Sequence, residues 1–361
     1  MRQNAETCLY VLREAGKLCF LVLYVDDILL AATDREFMDN TKARLSALYK
    51  MRDLGQASSI LGIRIERDRK RRTITLSQQS YIESVLDKYG FTESSPKATP
   101  MSHSARLTAT DPHDDTPIPR FEISPGIMVT YPQIVGSLMY AMMGTRPDLA
   151  YTVGVLGRYA ANPKRCHWNA AKRVLRYLRG TSSYGLTYEG SKVSLDMDFH
   201  GFSDADWSGD SDTSRSTSGF VFISNGAAIG WSSKRQSMVA LSTTESEYIG
   251  LSLAGQHLMW LRTFFSELGH PQMQPTPLYC DNEAAIILSK DAQFRSRTKH
   301  IDRKYHFIRD DIVAKKRAVI FHVSTHDQVA DIMTKALSEE KHNKFVKCMG
   351  LHARASGGVK R

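Results

Sequence analysis

Apolar residues run almost unbroken from Leu18 to Ala32, interrupted only by Asp26 and Asp27. A stretch so rich in β-formers on both sides of a polar pair predicts two buried strands folded over an acidic turn. Asp34 then caps an amphipathic stretch to about Tyr49, residues 60–76 alternate as a basic hairpin around Arg69-Lys-Arg-Arg72, and a helix from Gln78 to Tyr89 comes after it. From Phe91 to Tyr131 the chain collects Pro, Ser, Thr and Asp without apolar periodicity, which predicts a linker and a domain boundary. Three helical patterns come next, over residues 133–143, 148–160 and 166–179, punctuated by Pro132, Pro147, Pro163 and Gly180. They predict a small helical unit with a basic face.

The last third changes period. Strand-like runs at residues 198–203, 219–224 and 227–233 precede a long helix over 243–268. A strand at 277–281, helices at 282–289 and 296–316, a strand at 319–323 and a helix to about Leu337 complete the order β-β-β-α-β-α-α-β-α. That order predicts an α/β unit, a mixed sheet with helices on its faces, in which acids at strand ends converge. No internal repeat is present.

A chain of 361 residues exceeds what one core ordinarily holds, so two or three domains are expected. With 42% hydrophobic and 24% charged residues it reads as folded rather than disordered or fibrous. A net charge of +10 favours a polyanionic partner, nucleic acid above all, although a merely basic surface would give the same balance. The five cysteines are odd in number and contain no Cys-x-x-Cys pair, which argues against a disulfide framework or a cysteine zinc site and for a reducing compartment. The apolar run at 18–32 is too short to span a bilayer, and the N-terminus does not read as a signal peptide, so an intracellular protein without a membrane partner is expected.

Four carboxylates fall at predicted element ends: Asp204 after the first strand of the α/β unit, Glu247 one turn into the long helix, Asp281 after the fourth strand and Asp331 at the last helix. Two divalent ions about 3.5–4 Å apart need several hard oxygen ligands to activate water and stabilise the leaving oxygen of a phosphodiester. Taken singly, each acid has a plain structural reading as a turn former or a partner of the helix dipole.

Context raises the constellation above that reading. The segments Gly201-Phe-Ser-Asp-Ala-Asp-Trp207, Ser214-Arg-Ser-Thr-Ser-Gly-Phe220, Gly230-Trp-Ser-Ser-Lys-Arg-Gln236, Ala240-Leu-Ser-Thr-Thr-Glu-Ser-Glu-Tyr248, Leu278-Tyr-Cys-Asp-Asn282, Arg297-Thr-Lys-His-Ile-Asp302 and Val329-Ala-Asp-Ile-Met-Thr-Lys335 resemble, in order, the RNase H domain of copia-type retrotransposon polyproteins. Upstream, Tyr24-Val-Asp-Asp-Ile-Leu resembles the catalytic turn of that family's reverse transcriptase, with Asp26 and Asp27 as its catalytic pair. Leu54-Gly, residues 131–140, Thr145-Arg-Pro-Asp and Ala171-Lys-Arg-Val-Leu-Arg-Tyr-Leu178 resemble the family's segments downstream of that turn, so nearly the whole chain is covered.

The resemblance implies an RNase H-like five-stranded mixed sheet flanked by helices, preceded by a partial reverse-transcriptase palm of α+β type and a small helical thumb or connection unit. The corresponding divisions are residues 1–125 for the palm with its linker, 126–182 for the helical unit, 195–337 for RNase H and 338–361 for a basic C-terminal tail. It implies Asp204, Glu247, Asp281 and Asp331 as catalytic metal ligands, two Mg²⁺ ions with Mn²⁺ as an alternative, and cleavage of the RNA strand of an RNA–DNA hybrid. Asp206 and Glu245 each lie two residues from a chosen ligand. Asp204 is preferred because it directly follows Ser203 at the strand end, and Glu247 because Glu-Tyr-Ile-Gly fits the family's helical motif.

Lys234, Arg235 and Gln236, and further on Arg297, Lys299 and His300 beside Arg295 and Arg303, are candidates for gripping the hybrid; a solvated basic face explains them as well. A hybrid is recognised by backbone shape and 2′-hydroxyls, so no sequence specificity is expected. His300 and His306, six residues apart, do not share a helical face well enough to chelate zinc. His326, ahead of Asp331, could assist product release, against a solvated-surface alternative.

The family's polymerases pair the Asp26–Asp27 turn with a third Asp on an earlier strand, for which the residues before Asp26 leave no room. The expectation is a ribonuclease that does not synthesise DNA alone. A polymerase part completed by other pieces of a Pol polyprotein and a non-catalytic nucleic-acid-binding remnant stay open beside it. The implied location is cytoplasmic, in a virus-like particle, or nuclear.

Overall fold

The computed structural model describes residues 5–110, 115–190, 199–290 and 303–354. The run expected as two strands forms β2 (Lys17–Tyr24) and β3 (Asp27–Ala32), paired antiparallel with Tyr24 opposite Asp27. A further strand, β1 (Leu9–Glu14), lines the outer edge of β2. Its alternation is short and half polar, so periodicity did not reveal it. Asp34 caps α1 (Arg35–Leu48), accepting from the Phe37 N–H at 2.9 Å.

The basic hairpin forms as β5 (Ile63–Asp68) and β6 (Thr73–Ser77) beside a short β4 (Ser59–Ile60). Its sheet continues with strands distant in sequence: β6 pairs with β9 (Tyr184–Glu189), and β9 with β15 (Leu351–Ala353). Residues 338–361 were expected as a basic tail. Instead α8 (Glu339–Cys348) and β15 fold back, because Phe345, Val346, Met349 and Leu351 form an apolar face that is buried. Residues 355–361 lie outside the described residues.

A helical core joins α2 (Gln79–Lys88) to α3 (Tyr131–Gly144), α4 (Ala150–Gly157) and α5 (Arg165–Gly180), around Tyr89, Tyr131, Ile134, Leu138, Trp168 and Leu175. The described parts of the segment expected as a linker are packed structure. They carry a hairpin, β7 (Arg120–Ser124) with β8 (Ile127–Thr130), and bury Thr99 and Met101. Much of the expected basic face of α5 is spent on them. Arg173 donates to the Thr99 carbonyl at 3.1 Å, Arg176 to that of Ser95 at 2.7 Å and Arg179 to that of Thr92. Side-chain cations thus satisfy carbonyls that no strand partner reaches.

The last unit is a five-stranded mixed sheet in the order β12-β11-β10-β13-β14, built from β10 (Phe199–Ala205), β11 (Thr217–Ser224), β12 (Ala227–Arg235), β13 (Thr276–Cys280) and β14 (Ala318–His322). The first three strands are antiparallel, and β13 and β14 run parallel to β10. This is an RNase H-like fold. One face packs on α6 (Thr243–Glu267), with Phe222, Leu251, Leu258 and Leu278 in a common core that also takes in α7 (Glu283–Lys290). The other face meets the helical unit and α8. Trp231 donates to the Met142 carbonyl at 3.2 Å, and Arg158 to the Thr217 hydroxyl at 3.1 Å.

Two expected helices differ. The helix expected over 296–316 is a 3-10 turn at Arg303–His306 followed by a π-helical turn at Ile308–Val313, residues 291–302 being outside the described set. The helix expected to reach Leu337 is a 3-10 turn, Val329–Met333, opened by the Gln328 side chain accepting from the Ala330 N–H. Its five residues are all buried. Such tight winding at a wall of the core leaves no solvent face for a longer amphipathic helix.

Candidate metal centre

The central strand β10 ends at Ala205, which delivers the Asp204 carboxylate to the C-terminal edge of the sheet, where parallel β13 delivers Asp281. This is where an open α/β sheet gathers ligands from separate strands. The 3-10 turn brings Asp331 to the same place. Ligand oxygens of Asp204, Asp281 and Asp331 lie within 4.8 Å of one another, and so do ligand atoms of Glu247, Cys280 and Asp281. Asp281 belongs to both groups, so the four acids proposed from sequence form one continuous cluster.

Glu247 and Glu245 are separated by their roles in α6. Ser242 caps the helix by accepting from the Glu245 N–H at 3.1 Å, while the Glu245 carboxylate reaches back to the Leu241 N–H at 2.8 Å. Glu245 therefore closes the helix start, and Glu247, two positions on, faces Asp204 and Asp281. Asp206 is likewise spent on the fold. It accepts from the Thr217 N–H, and its own N–H donates to the Thr217 carbonyl at 3.1 Å, extending the β10–β11 ladder.

Burial dominates the electrostatics. It pushes Asp204 up to about 6, with Asp331 and Asp281 adding to the rise while Lys335 and the Thr334 hydroxyl oppose it. Glu247 rises well above the usual carboxylate range for the same first reason, reinforced by the Asp204 and Asp281 charges. Burial also raises Asp206, to about 7. The mutual repulsion of crowded, desolvated carboxylates is what a divalent cation relieves. All-oxygen carboxylate donors suit Mg²⁺ or Mn²⁺ better than softer ions, and the residues present therefore fit such a centre.

Other side chains hold the acids in place. Thr334 donates to Asp204 Oδ2, and Thr325 donates to Asp281 Oδ2 at 3.0 Å. Lys335 Nζ lies 2.7 Å from Asp331 Oδ1 and 3.6 Å from Asp204 Oδ2, and Lys341 contacts Asp331 Oδ2. Sequence reasoning assigned no role to these four residues. The spacing of Asp331 and Lys335, four apart, was the available signal for the closest of these contacts.

The nucleic-acid candidates fare unequally. Lys234 is exposed at the end of β12. Arg235 is paired with Asp210, and Gln236 is buried, its amide donating to the Ser218 hydroxyl and the Ser246 carbonyl at 2.9 Å each. Gln236 thus ties β11 to α6 and is no surface contact, a correction to its expected role. Arg295, Arg297, Lys299 and His300 lie outside the described residues. Arg303 is exposed, and His306 packs against Tyr248, 3.1 Å from its hydroxyl. His326 is exposed in the loop that also carries Thr325, next to Asp281.

Asp26 and Asp27 are exposed at the tip of the β2–β3 hairpin, where Val25 takes a φ of 52°. A β-branched residue in the left-handed region is strained, and strain of this kind concentrates at functional turns. Among the described residues, neither Asp joins a third acid in a metal-binding group. No described helix is long and apolar enough to cross a membrane.

A family model described as reverse transcriptase (RNA-dependent DNA polymerase) matches residues 1–103. The chain is 39% identical over 98% of its length to the retrovirus-related Pol polyprotein from transposon TNT 1-94 of Nicotiana tabacum, of which it spans about a quarter (26%). It is 34% identical over 70% of its length to a Ty5-1 transposon protein of Saccharomyces cerevisiae, covering 77% of that protein. Among solved structures, an N-terminal RNase H domain from Mycobacterium tuberculosis, fused to maltose-binding protein, aligns with 42% of this chain and 98% of its own at 11% identity and a TM-score of 0.27, too slight a likeness to add weight. The chain belongs to the copia-type retrotransposon Pol family, and its first 103 residues match that family's reverse transcriptase.

Proposed function

We propose that the chain is an endoribonuclease that hydrolyses the RNA strand of RNA–DNA hybrids at the Asp204–Glu247–Asp281–Asp331 cluster. The observation that carries this reading is the convergence of Asp204, Asp281 and Asp331 oxygens within 4.8 Å, with Glu247 adjoining through Asp281. Two divalent ions bound there would supply an activated water and stabilise the leaving oxygen of the phosphodiester. Asp281, common to both ligand groups, lies between the two ion positions, where one carboxylate can serve both. Thr334 and Thr325 fix the rotamers of Asp204 and Asp281 by donating to one oxygen of each, which leaves the second oxygen for a ligand. Glu247, held on a 25-residue helix packed into the core, closes one side. Lys335 lowers the negative charge that an incoming phosphate meets.

Exposed Lys234 and Arg303 offer phosphate contacts, which carry affinity without sequence preference. Asp26 and Asp27 lack a third acidic partner among the described residues, which supports a chain that does not extend primers without further Pol segments. The experiment is incubation of the chain with a labelled RNA–DNA hybrid and Mg²⁺ beside an Asp281→Asn variant. Cleavage by the parent alone supports the reading. Binding without cleavage by the parent would replace it with a non-catalytic hybrid-binding role, and equal RNA loss in both would mark a contaminant. Primer extension on an RNA template by the chain alone would overturn the second statement.

A further inference from the structure

The acidic cluster is not evenly charged. On one flank the Lys335 ammonium spans two acids, 2.7 Å from Asp331 and 3.6 Å from Asp204, and Lys341 contacts the remaining oxygen of Asp331. On the other flank Glu247 and Asp281 face the Cys280 thiol, whose sulfur is 3.9 Å from Glu247 Oε2. Among the described residues no cationic side chain is in ion-pair contact with either of these two acids. The two flanks therefore present different obstacles to an incoming cation. One has carboxylates that repel each other, and the other has a cation already in place.

Lys335 is well suited to leave. Its side chain is 40% exposed, in contrast to the buried carboxylates it bridges, and its ammonium rides on a flexible four-carbon stem. Lys341 stays against Asp331 from α8, a separate element. Displacement of Lys335 thus costs its two ion pairs, to Asp331 and to Asp204, rather than the turn that carries Asp331.

We propose that Lys335 is a built-in counter-ion that occupies the cation position between Asp204 and Asp331 until a divalent ion displaces it. This rests on the metal-centre reading above. Two divalent ions then bind unequally, the first on the Glu247–Asp281 flank and the second only in exchange for the ammonium. The displaced ammonium lies at the edge of the cluster, where a phosphodiester oxygen is its natural partner. A hybrid strand and the second ion consequently bind with positive coupling, each favouring the displaced position of Lys335.

The test is calorimetric titration of the full chain with Mg²⁺ and with Mn²⁺, for the parent, Lys335→Met and Lys335→Arg, with melting curves at each metal concentration. The parent is expected to bind two ions with distinct affinities. Lys335→Met should tighten the weaker site by at least about tenfold, because it removes a positive charge beside the incoming cation, and Lys335→Arg should keep the parent's asymmetry. A Lys335→Met chain that unfolds without metal and refolds on addition of Mg²⁺ gives the same support, because the cation then replaces the missing counter-ion. Unchanged isotherms, weaker binding of both ions, or a Lys335→Met chain that Mg²⁺ does not rescue would overturn the proposal. Absence of any metal uptake by parent and variants alike would instead sink the metal centre itself.

Discussion

Gly219 stands directly across the β10–β11 ladder from Asp204, and a Cβ added to it would fall 2.5 Å from the Cβ of Met333. The missing side chain is what lets the 3-10 turn lie flat against the sheet and set Asp331 beside Asp204. Gly219→Ala should therefore act on the site from outside it. Overpacking of this kind costs about 1–3 kcal/mol, and pushing the turn away should also weaken Mg²⁺ binding. Urea unfolding and a metal titration on the same variant check both halves; unaltered metal affinity would show that the turn tolerates the shift.

The pair Arg146 and Asp148 is fully buried, bonded at 2.7 Å and 3.0 Å, with Tyr177 donating to Asp148 and Arg146 donating to the Thr181 carbonyl. Burial alone would push the Asp148 carboxyl up, but Arg146 holds it below its ordinary value. Asp148→Asn leaves the guanidinium charge uncompensated and should cost about 3–5 kcal/mol. An Arg146→Met/Asp148→Leu double variant should be far less damaging, since it removes both charges. Chemical denaturation of the three chains decides this, and equal losses in single and double variants would contradict it.

His342 Nε2 donates to the Tyr177 hydroxyl at 3.0 Å, whose own hydrogen goes to Asp148, and burial lowers the ionisation of His342 from 6.5 to about 4. The unfolded chain takes up this proton near 6.5 and the folded chain only near 4. Between those values the unfolded state binds more protons, so stability falls as pH falls through the window. The full loss is roughly 3 kcal/mol. The difference in unfolding free energy between parent and His342→Gln should shrink steadily on acidification, and a pH-independent difference would show that the imidazole is not the titrating group.

Asp204 and Asp206 titrate in the opposite sense. Their folded values, about 6 and about 7, lie above the unfolded 3.8. The metal-free native state holds these protons longer, so its contribution to stability is present below the unfolded value and lost as pH rises through the folded ones. Protons and Mg²⁺ compete for Asp204, and metal affinity should weaken as pH falls through about 6. Calorimetry in buffers of different ionisation enthalpy would measure the protons released on binding; none released would contradict the competition.

The convergence of the four acids was legible because Asp204 and Asp281 follow strands whose period is plain, and because motif order set Glu247 and Asp331 in the same unit. Lys335 stands in the same motif as Asp331 but carried no signal of its role, since a lysine four residues from an acid is also an ordinary surface pair. Gln236 misled for a related reason: next to Lys234 and Arg235 it reads as part of a basic strip, whereas just past the end of β12 its amide is drawn inward by the Ser218 hydroxyl and the Ser246 carbonyl. The segment 91–131 looked like a linker because its order comes from arginines on α5, and the Arg176 that holds Ser95 lies 81 residues further along the chain. Composition records no such distant clamp. The buried face of α8 is short, and its charged opposite face dominated the reading of residues 338–361.

β15 bears on how the molecule comes into being. It pairs with β9, which pairs with β6, and Arg354 beyond it bonds to Glu66 at 3.0 Å across a sequence separation of 288. The sheet that includes the early hairpin thus waits for a strand made far later before its edge is covered. A chain emerging from the ribosome holds β9 with one ladder unpaired until β15 has been synthesised, so the closing of that sheet is a slow, non-local step. Cutting the chain at Met349 would remove one short strand of this sheet, yet it would leave that edge open for pairing with another chain.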